Sequence, residues 1–227
     1  MISIIIPTYN EANIIAKLIS YLRQDIPADA IEIIISDGGS TDGTMLLAAK
    51  AGATALLSPV KGRAAQMNYA AAKAKGNILY FVHADCFPPQ GFVADITSAV
   101  KKGYEAGRYQ TRFTGNSWRL TLNAFFTRFD TFVCYGGDQT LFVTRSLFTQ
   151  IKGYDESKLI MEDYDITHRI KQQGKYKILR GVALISTRKY ETNGWWAVQK
   201  ANYKAIKMYK QGAASKDIAR MYKTSIQ

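Results

Sequence analysis

The sequence is poor in the features that would take it out of the ordinary run of folded α/β chains. Two cysteines occur in 227 residues, Cys86 and Cys134, far apart and without metal-ligand spacing. A disulfide framework and a zinc module are therefore excluded, and free thiols in a reducing compartment are expected. No run of eighteen apolar residues occurs, so no membrane-spanning helix is predicted. Residues 2–6 enter a strand directly, with no basic region or small-residue cleavage site before them, so no secretory signal is expected and the cytoplasm is the expected location. Neither G-x-G-x-x-G nor G-x-x-x-x-G-K-[ST] is present, which removes support for dinucleotide or phosphate-loop machinery. Repeats and low-complexity tracts are also lacking.

Acid is scarce at one end only. Residues 1–165 carry 16 Lys or Arg and 16 Asp or Glu, whereas residues 166–227 carry 14 basic residues against Glu191 and Asp217. The formal charge of +12 thus lies wholly in the last quarter of the chain. Such asymmetry points to a phosphate-rich partner: a nucleotide diphosphate, nucleic acid or anionic lipid.

What is present reads as α/β. With 47% hydrophobic residues the chain can bury a single core. Residues 2–6 and 31–35 are β-branched runs followed by turn residues and helical periodicity, the pattern of parallel strands buried on both faces. A first helix over 11–23 places Ile14, Ile15, Leu18, Ile19 and Leu22 on one face. Further strands are expected at 53–57, 77–82, 104–113, 140–143, 176–179 and 182–186. Further helices are expected after Thr41 and over 63–75, 88–101, 116–134 and 162–173. The expected organisation is one domain over 1–193, with a nucleotide-binding half (1–90) and an acceptor half (91–193), followed by a basic helical extension over 194–227.

In an open parallel sheet, ligands bind beyond the carboxyl ends of the strands. The first strand ends in Pro7-Thr8-Tyr9-Asn10-Glu11, the second in Asp37-Gly38-Gly39-Ser40-Thr41-Asp42, and that at 77–82 in His83-Ala84-Asp85. Paired glycines allow a sharp turn, and a helix opening after Asp42 would offer amide groups to a ligand. Asp85, just past a buried strand, suits Mg²⁺ or Mn²⁺, which use one or two carboxylates with substrate phosphates and water. Glu162, Asp163 and Asp165 open a helix, where the dipole favours negative charge. Asp163 shares a face with Ile166 and Ile170, while Asp165 and Arg169 form an outward pair, so Asp163 is the better general-base candidate.

These motifs, in order and together with Gly62-Arg63-Ala64-Ala65-Gln66-Met67-Asn68, resemble the family 2 glycosyltransferases of GT-A fold, with the match running from residue 2 to about 190. The resemblance implies inverting transfer of a sugar from a nucleotide-sugar donor to an acceptor hydroxyl, assisted by Mn²⁺ or Mg²⁺. It implies a nucleoside site at Pro7, Thr8, Tyr9, Asn10, Glu11, Asp37 and Gly38, with Asp37 bonding base or ribose. It makes Asp85 the metal ligand, with His83 as a second candidate because H-A-D stands where the family usually has D-x-D. Asp163 becomes the general base with Glu162 beside it, Arg63 a phosphate contact, and Arg188 and Lys189 a basic pair at the diphosphate. Gly137, Asp138 and Gln139 resemble a segment facing the donor sugar or the acceptor. A nucleotidyltransferase of the same sheet is the alternative, but it would need a glycine-rich basic loop after the first strand. A non-catalytic nucleotide-sugar-binding protein is the other.

Residues 194–211 have the spacing of a basic amphipathic helix, with Trp195, Val198, Ala205, Ile206 and Tyr209 on one side and Lys200, Lys204 and Lys207 on the other. Such a helix is expected either to pack on the domain or to rest on an anionic membrane, at the inner face, beside a lipid-linked acceptor. Nucleic acid is not the expected partner.

Overall fold

The computed structural model describes residues 1–136 and 139–226. Strand β1 (Ile2–Thr8) leads through α1 (Ile15–Arg23) to β2 (Ile31–Asp37), α2 (Thr44–Lys50), β3 (Thr54–Leu57), α3 (Arg63–Lys73) and β4 (Ile78–Phe81). The short β5 (Cys86–Phe87) and α4 (Phe92–Lys101) precede β6 (Ala106–Phe113), α5 (Trp118–Phe126), β7 (Leu141–Thr144) and α6 (Arg145–Gln150). The chain closes with α7 (Glu162–Gln173), β8 (Tyr176–Ile185), α8 (Arg188–Asn193), α9 (Trp195–Lys210) and α10 (Ser215–Ser225).

One sheet of order β3-β2-β1-β4-β7-β6-β8-β5 carries the molecule. β1 pairs in parallel with β2 and β4, and β7 runs antiparallel between β4 and β6. Because side chains alternate across a strand, the isoleucine runs feed two layers. Ile4, Ile6, Ile33 and Ile35 meet Leu18 and Ile19 of α1 and Ile96 of α4. Ile5 and Ile34 meet Met67 and Ala70 of α3, Leu147 of α6, and Ile166 and Ile170 of α7. Burial on both faces explains why these strands read as unbroken apolar runs. At the middle of the sheet Gly107 permits close packing: a Cβ there would lie 2.1 Å from the Lys177 carbonyl and 2.7 Å from the Phe142 ring.

A third cluster joins the end of the chain to the rest. Ala205 of α9 and Ile218 of α10 pack on Met161 and Tyr164, with Phe132 and Tyr209 beside them. Among the described residues no helix is long and apolar enough to cross a membrane.

The boundaries differ from expectation where local chemistry overrides periodicity. The helix expected from residue 88 begins at Phe92, because Gly91 takes the left-handed φ of +81° before it. The strands expected at 176–179 and 182–186 are one strand, β8, with a register shift opposite Tyr109/Gln110. The single helix expected over 116–134 breaks into α5 and a short 3-10 turn at Phe132–Cys134.

Candidate active site

The β1–β2 register places Thr8 beside Asp37, and the loops that follow are tied to each other. Asp37, fully buried, accepts from the Gly39 and Ser40 amides through Oδ1 (2.8 and 2.6 Å) and from the Thr8 and Ser40 hydroxyls through Oδ2 (2.9 and 2.6 Å). Burial opposes its ionisation, but the Ser40, Thr8 and Gly39 bonds prevail and hold it below the ordinary aspartate value. The amides of Asn10, Glu11 and Ala12 donate to Ser40 Oγ, Thr44 Oγ1 and Asp42 Oδ2. Asn10, at a left-handed φ of +56°, accepts the Thr41 amide on its side-chain oxygen. Of the amides in the turn before α2, those of Thr41 and Thr44 are held by Asn10 and Asp42. The Asp37 carboxylate thus ties the turn after β2 to the end of β1 at the crevice floor. Gln66 completes that floor, donating to the Thr8 and Ser36 carbonyls (2.9 and 2.6 Å) beneath Gly38. Pro7 is buried at the end of β1, whereas Tyr9 is exposed at the rim with the Lys61 ammonium 6.0 Å from its ring centre.

His83 and Asp85 follow β4 on the same side, each partly exposed around the buried Ala84. The Asp85 carbonyl accepts the Ser186 amide (3.3 Å), linking this turn to the end of β8. Among the described residues no three His, Cys, Asp or Glu side chains gather as a metal cluster. One carboxylate and one imidazole, half-open to solvent, nevertheless fit a hard divalent cation whose remaining ligands come from donor phosphates and water.

A cavity of about 420 Å³ opens beside this crevice, walled by α5, the start of α7, α8, α9 and α10. Asp163, partly exposed, and Glu162, buried, both line it because Met161 turns the chain into α7 at a left-handed φ of +68°. Arg63, at the start of α3, lies across from them with Nε 2.7 Å from Glu162 Oε1. That contact is an ion pair by distance without the alignment of a hydrogen bond, and among the described residues neither Glu162 oxygen has a hydrogen-bond partner. Burial, joined by the Asp163 charge, raises the Glu162 pKa against the pull of Arg63 and of nearby His83. Gln139 also lines the cavity, donating to the Cys134 carbonyl while its buried Oε1 has no hydrogen-bond partner among the described residues. Gly137 and Asp138 lie outside the described residues. Asp165 and Arg169 form the expected i, i+4 pair, but partly buried rather than outward. They meet at 2.6 Å under the 151–153 loop, where Arg169 also donates to the Ile151 and Gly153 carbonyls.

The two expected diphosphate cations diverge. Arg188 reaches Glu11 (3.2 Å), joining α8 to the crevice loop, whereas Lys189 faces the cavity and donates to the Tyr222 hydroxyl, which in turn donates to Asn202. Cavity residues from the C-terminal helices, Gln199, Asn202 and Tyr222, were not among the expected site residues. Their signal was polar groups set beside the buried positions Val198, Ala201 and Ile218. The apolar face of α9 is packed inward, through Val198, Ala201 and Ala205, and helps to wall the cavity. The face left to solvent carries Trp196, Lys200, Tyr203, Lys204 and Lys207.

A half-parallel, half-mixed sheet, a crevice beyond β1, β2 and β4, and an acid-bearing helix at its edge define a GT-A nucleotide-sugar transferase fold. The chain belongs to glycosyl transferase family 2, whose family model matches residues 3–166. It is similar to RfbJ of Shigella flexneri, 44% identical over 62 residues that make up 27% of this chain and 46% of that protein. It is also similar to glycosyltransferase AglE of Haloferax volcanii, 32% identical over 96 residues, 39% of this chain and 32% of that protein. The matched regions thus span less than half of these curated relatives. Among solved structures, Staphylococcus aureus TarS 1–349 with UDP-GlcNAc superposes with a TM-score of 0.69 at 17% identity, over 82% of this chain and 58% of that one. The mannosyltransferase PcManGT of Pyrobaculum calidifontis, with GDP-Man and Mn²⁺, superposes at 0.69 and 19% identity, over 97% and 67%. At such identities the likeness is one of fold.

Proposed function

We propose that the protein transfers a glycosyl group from a nucleoside-diphosphate sugar to an acceptor hydroxyl in a single displacement with inversion. The observation that carries this reading is the cavity in which partly exposed Asp163 stands beside Glu162, Gln139 and Gln199, each with a buried polar atom that has no hydrogen-bond partner among the described residues. Such atoms are costly when buried unless a polar ligand meets them, and a hydroxyl-rich acceptor does so. The donor nucleotide rests on the cross-braced loops, with Tyr9 as a stacking surface and Lys61 and Arg188 at the rim. Asp163 accepts the proton of the acceptor hydroxyl as its oxygen bonds to the anomeric carbon, and the bond from that carbon to the diphosphate breaks with its electrons leaving on the nucleotide. Arg63 and Glu162 fix the wall that orients the acceptor. A Mn²⁺ or Mg²⁺ ion held by Asp85, with His83 at its side, would neutralise charge on the diphosphate. Mn²⁺ accompanies the donor in PcManGT and UDP in glucosyl-3-phosphoglycerate synthase of Mycobacterium tuberculosis, which supports this assignment by analogy of fold.

The basic C-terminal quarter and the exposed Trp196-Lys200-Tyr203-Lys204 face of α9 support a lipid-linked acceptor reached from an anionic membrane surface. A donor panel with and without Mn²⁺, read by thermal shift, identifies base and metal dependence; ligand at about 100 times its Kd adds about 2.7 kcal/mol. Asp163→Asn is expected to keep that shift and lose about 10²–10⁴ in transfer rate. Transfer at the wild-type rate would remove Asp163 from the mechanism.

A further inference from the structure

Helix α5 is turned inside out. Its apolar residues Trp118, Leu122, Phe125 and Phe126, continued by Phe129, recur at the spacing of one helical face, yet that face looks to solvent. Trp118 is 72% exposed and the other four lie between 44% and 50%, while Leu120 is the buried residue of the helix. The three phenylalanines touch one another, with ring centres 5.6 to 6.4 Å apart. The surface continues onto α9: the Arg119 guanidinium stands 5.5 to 5.8 Å from the rings of Trp118, Trp195 and Trp196. A contiguous aromatic face of this extent marks an interaction surface.

Charge decides the partner. Residues 114–129 carry Arg119 and Arg128 and no acid, with the Arg128 guanidinium 4.2 Å from the Phe125 ring, and the adjoining α9 face adds Lys200 and Lys204. A second copy related by a two-fold axis would bring these cations against themselves. An anionic bilayer would satisfy both halves, apolar rings entering the acyl boundary and cations meeting the headgroups.

We infer that the outward face of α5 inserts into the interface of an anionic membrane and delivers the acceptor from it. The inference rests on the glycosyl-transfer reading for its purpose but not for its test. Phe126 and Tyr203 belong both to this exposed face and to the lining of the Asp163 cavity. An acceptor with an apolar anchor therefore reaches Asp163 from the inserted side without leaving the bilayer.

The test is sedimentation of the full chain with vesicles of equimolar phosphatidylcholine and phosphatidylglycerol at low salt, with the oligomeric state measured in parallel. Wild-type protein is expected to sediment with these vesicles, with tryptophan fluorescence shifted to the blue and quenched by brominated acyl chains. Trp118→Ser combined with Phe125→Ser, neither of which lines the cavity, is expected to weaken partition about tenfold or more while leaving the melting temperature and donor-induced stabilisation unchanged. Lack of wild-type binding, partition unaltered by the double substitution, or a wild-type dimer converted by it to monomer would each overturn the inference. Vesicle binding without any donor response would instead refute glycosyl transfer and leave the membrane surface standing.

Discussion

Replacing Asp37 separates a ligand contact from a loop tie. Its two oxygens accept four hydrogen bonds, two from backbone amides that cannot turn and two from hydroxyls that can. In Asp37→Asn the remaining oxygen can keep the Gly39 and Ser40 amides while the new amide group donates to the Thr8 and Ser40 hydroxyls, which reverse their roles. The loss is then charge assistance, about 1–2 kcal/mol. Asp37→Ala leaves all four donors without their acceptor at a buried site, at a cost of about 3–5 kcal/mol. For a chain of this length about 1 kcal/mol moves the melting temperature by roughly 2 °C, so the expected falls are about 2–4 °C for Asn and 6–10 °C for Ala. Because the native aspartate has a depressed pKa, its contribution is present above the unfolded value near 4 and is lost as pH falls through the native one. The asparagine variant should lack that acid-side loss. Scanning calorimetry of both variants across pH decides the matter. Equal destabilisation by Asn and Ala would refute the role reversal. A fully stable Asn variant that no longer bound nucleotide would show that the carboxylate meets the ligand directly.

The sheet was legible because strands buried on both faces leave unbroken isoleucine runs, and α7 because acids in its first turn meet a 3.6-residue apolar period. Elements held mainly by tertiary contact were not. Helix α6 has six residues and is capped by Thr144, whose hydroxyl accepts the Leu147 amide; its two buried residues leave too little periodicity to read. β8 looked like two strands because Arg180 and Gly181 interrupt the alternation, whereas the ladder to β6 absorbs them as a register shift. Gly136 reads as a turn residue in isolation, but a Cβ there would lie 1.6 Å from the Tyr164 ring, so its smallness serves packing against α7.

Within the site, residue types were legible and their partners were not. Asp37 was recognisable at a strand end, but only the paired loops reveal that its carboxylate is filled by Thr8, Gly39 and Ser40. Arg188 and Lys189 are neighbours in sequence, yet the first turn of α8 sends one to Glu11 and the other to Tyr222. Asp165 and Arg169 were assigned an outward face from α7 alone, which could not anticipate the 151–153 loop folding over them. The cavity draws on α5, α7 and α9, and no local spacing in the chain connects those helices.

Asp85→Ala should abolish the metal-dependent part of donor stabilisation and leave the metal-free part; equal donor affinity of the wild type with and without Mn²⁺ would remove the metal from this site. Gly107→Ala should cost more than about 3 kcal/mol, because backbone and ring both stand inside van der Waals distance of the added carbon; a midpoint near wild type in urea would contradict the packing. The Arg63–Glu162 pair makes a prediction of opposite sign to Asp37. Burial raises the Glu162 pKa, so the native state holds that proton more tightly than the unfolded chain and loses stability as pH rises from about 4.3 toward the raised value. Glu162→Gln has no proton to lose, and its stability relative to wild type should therefore increase from pH 4 to pH 7. A difference that stays constant over this range, measured by urea denaturation at each pH, would mean that Arg63 offsets the cost of burying the charge in full.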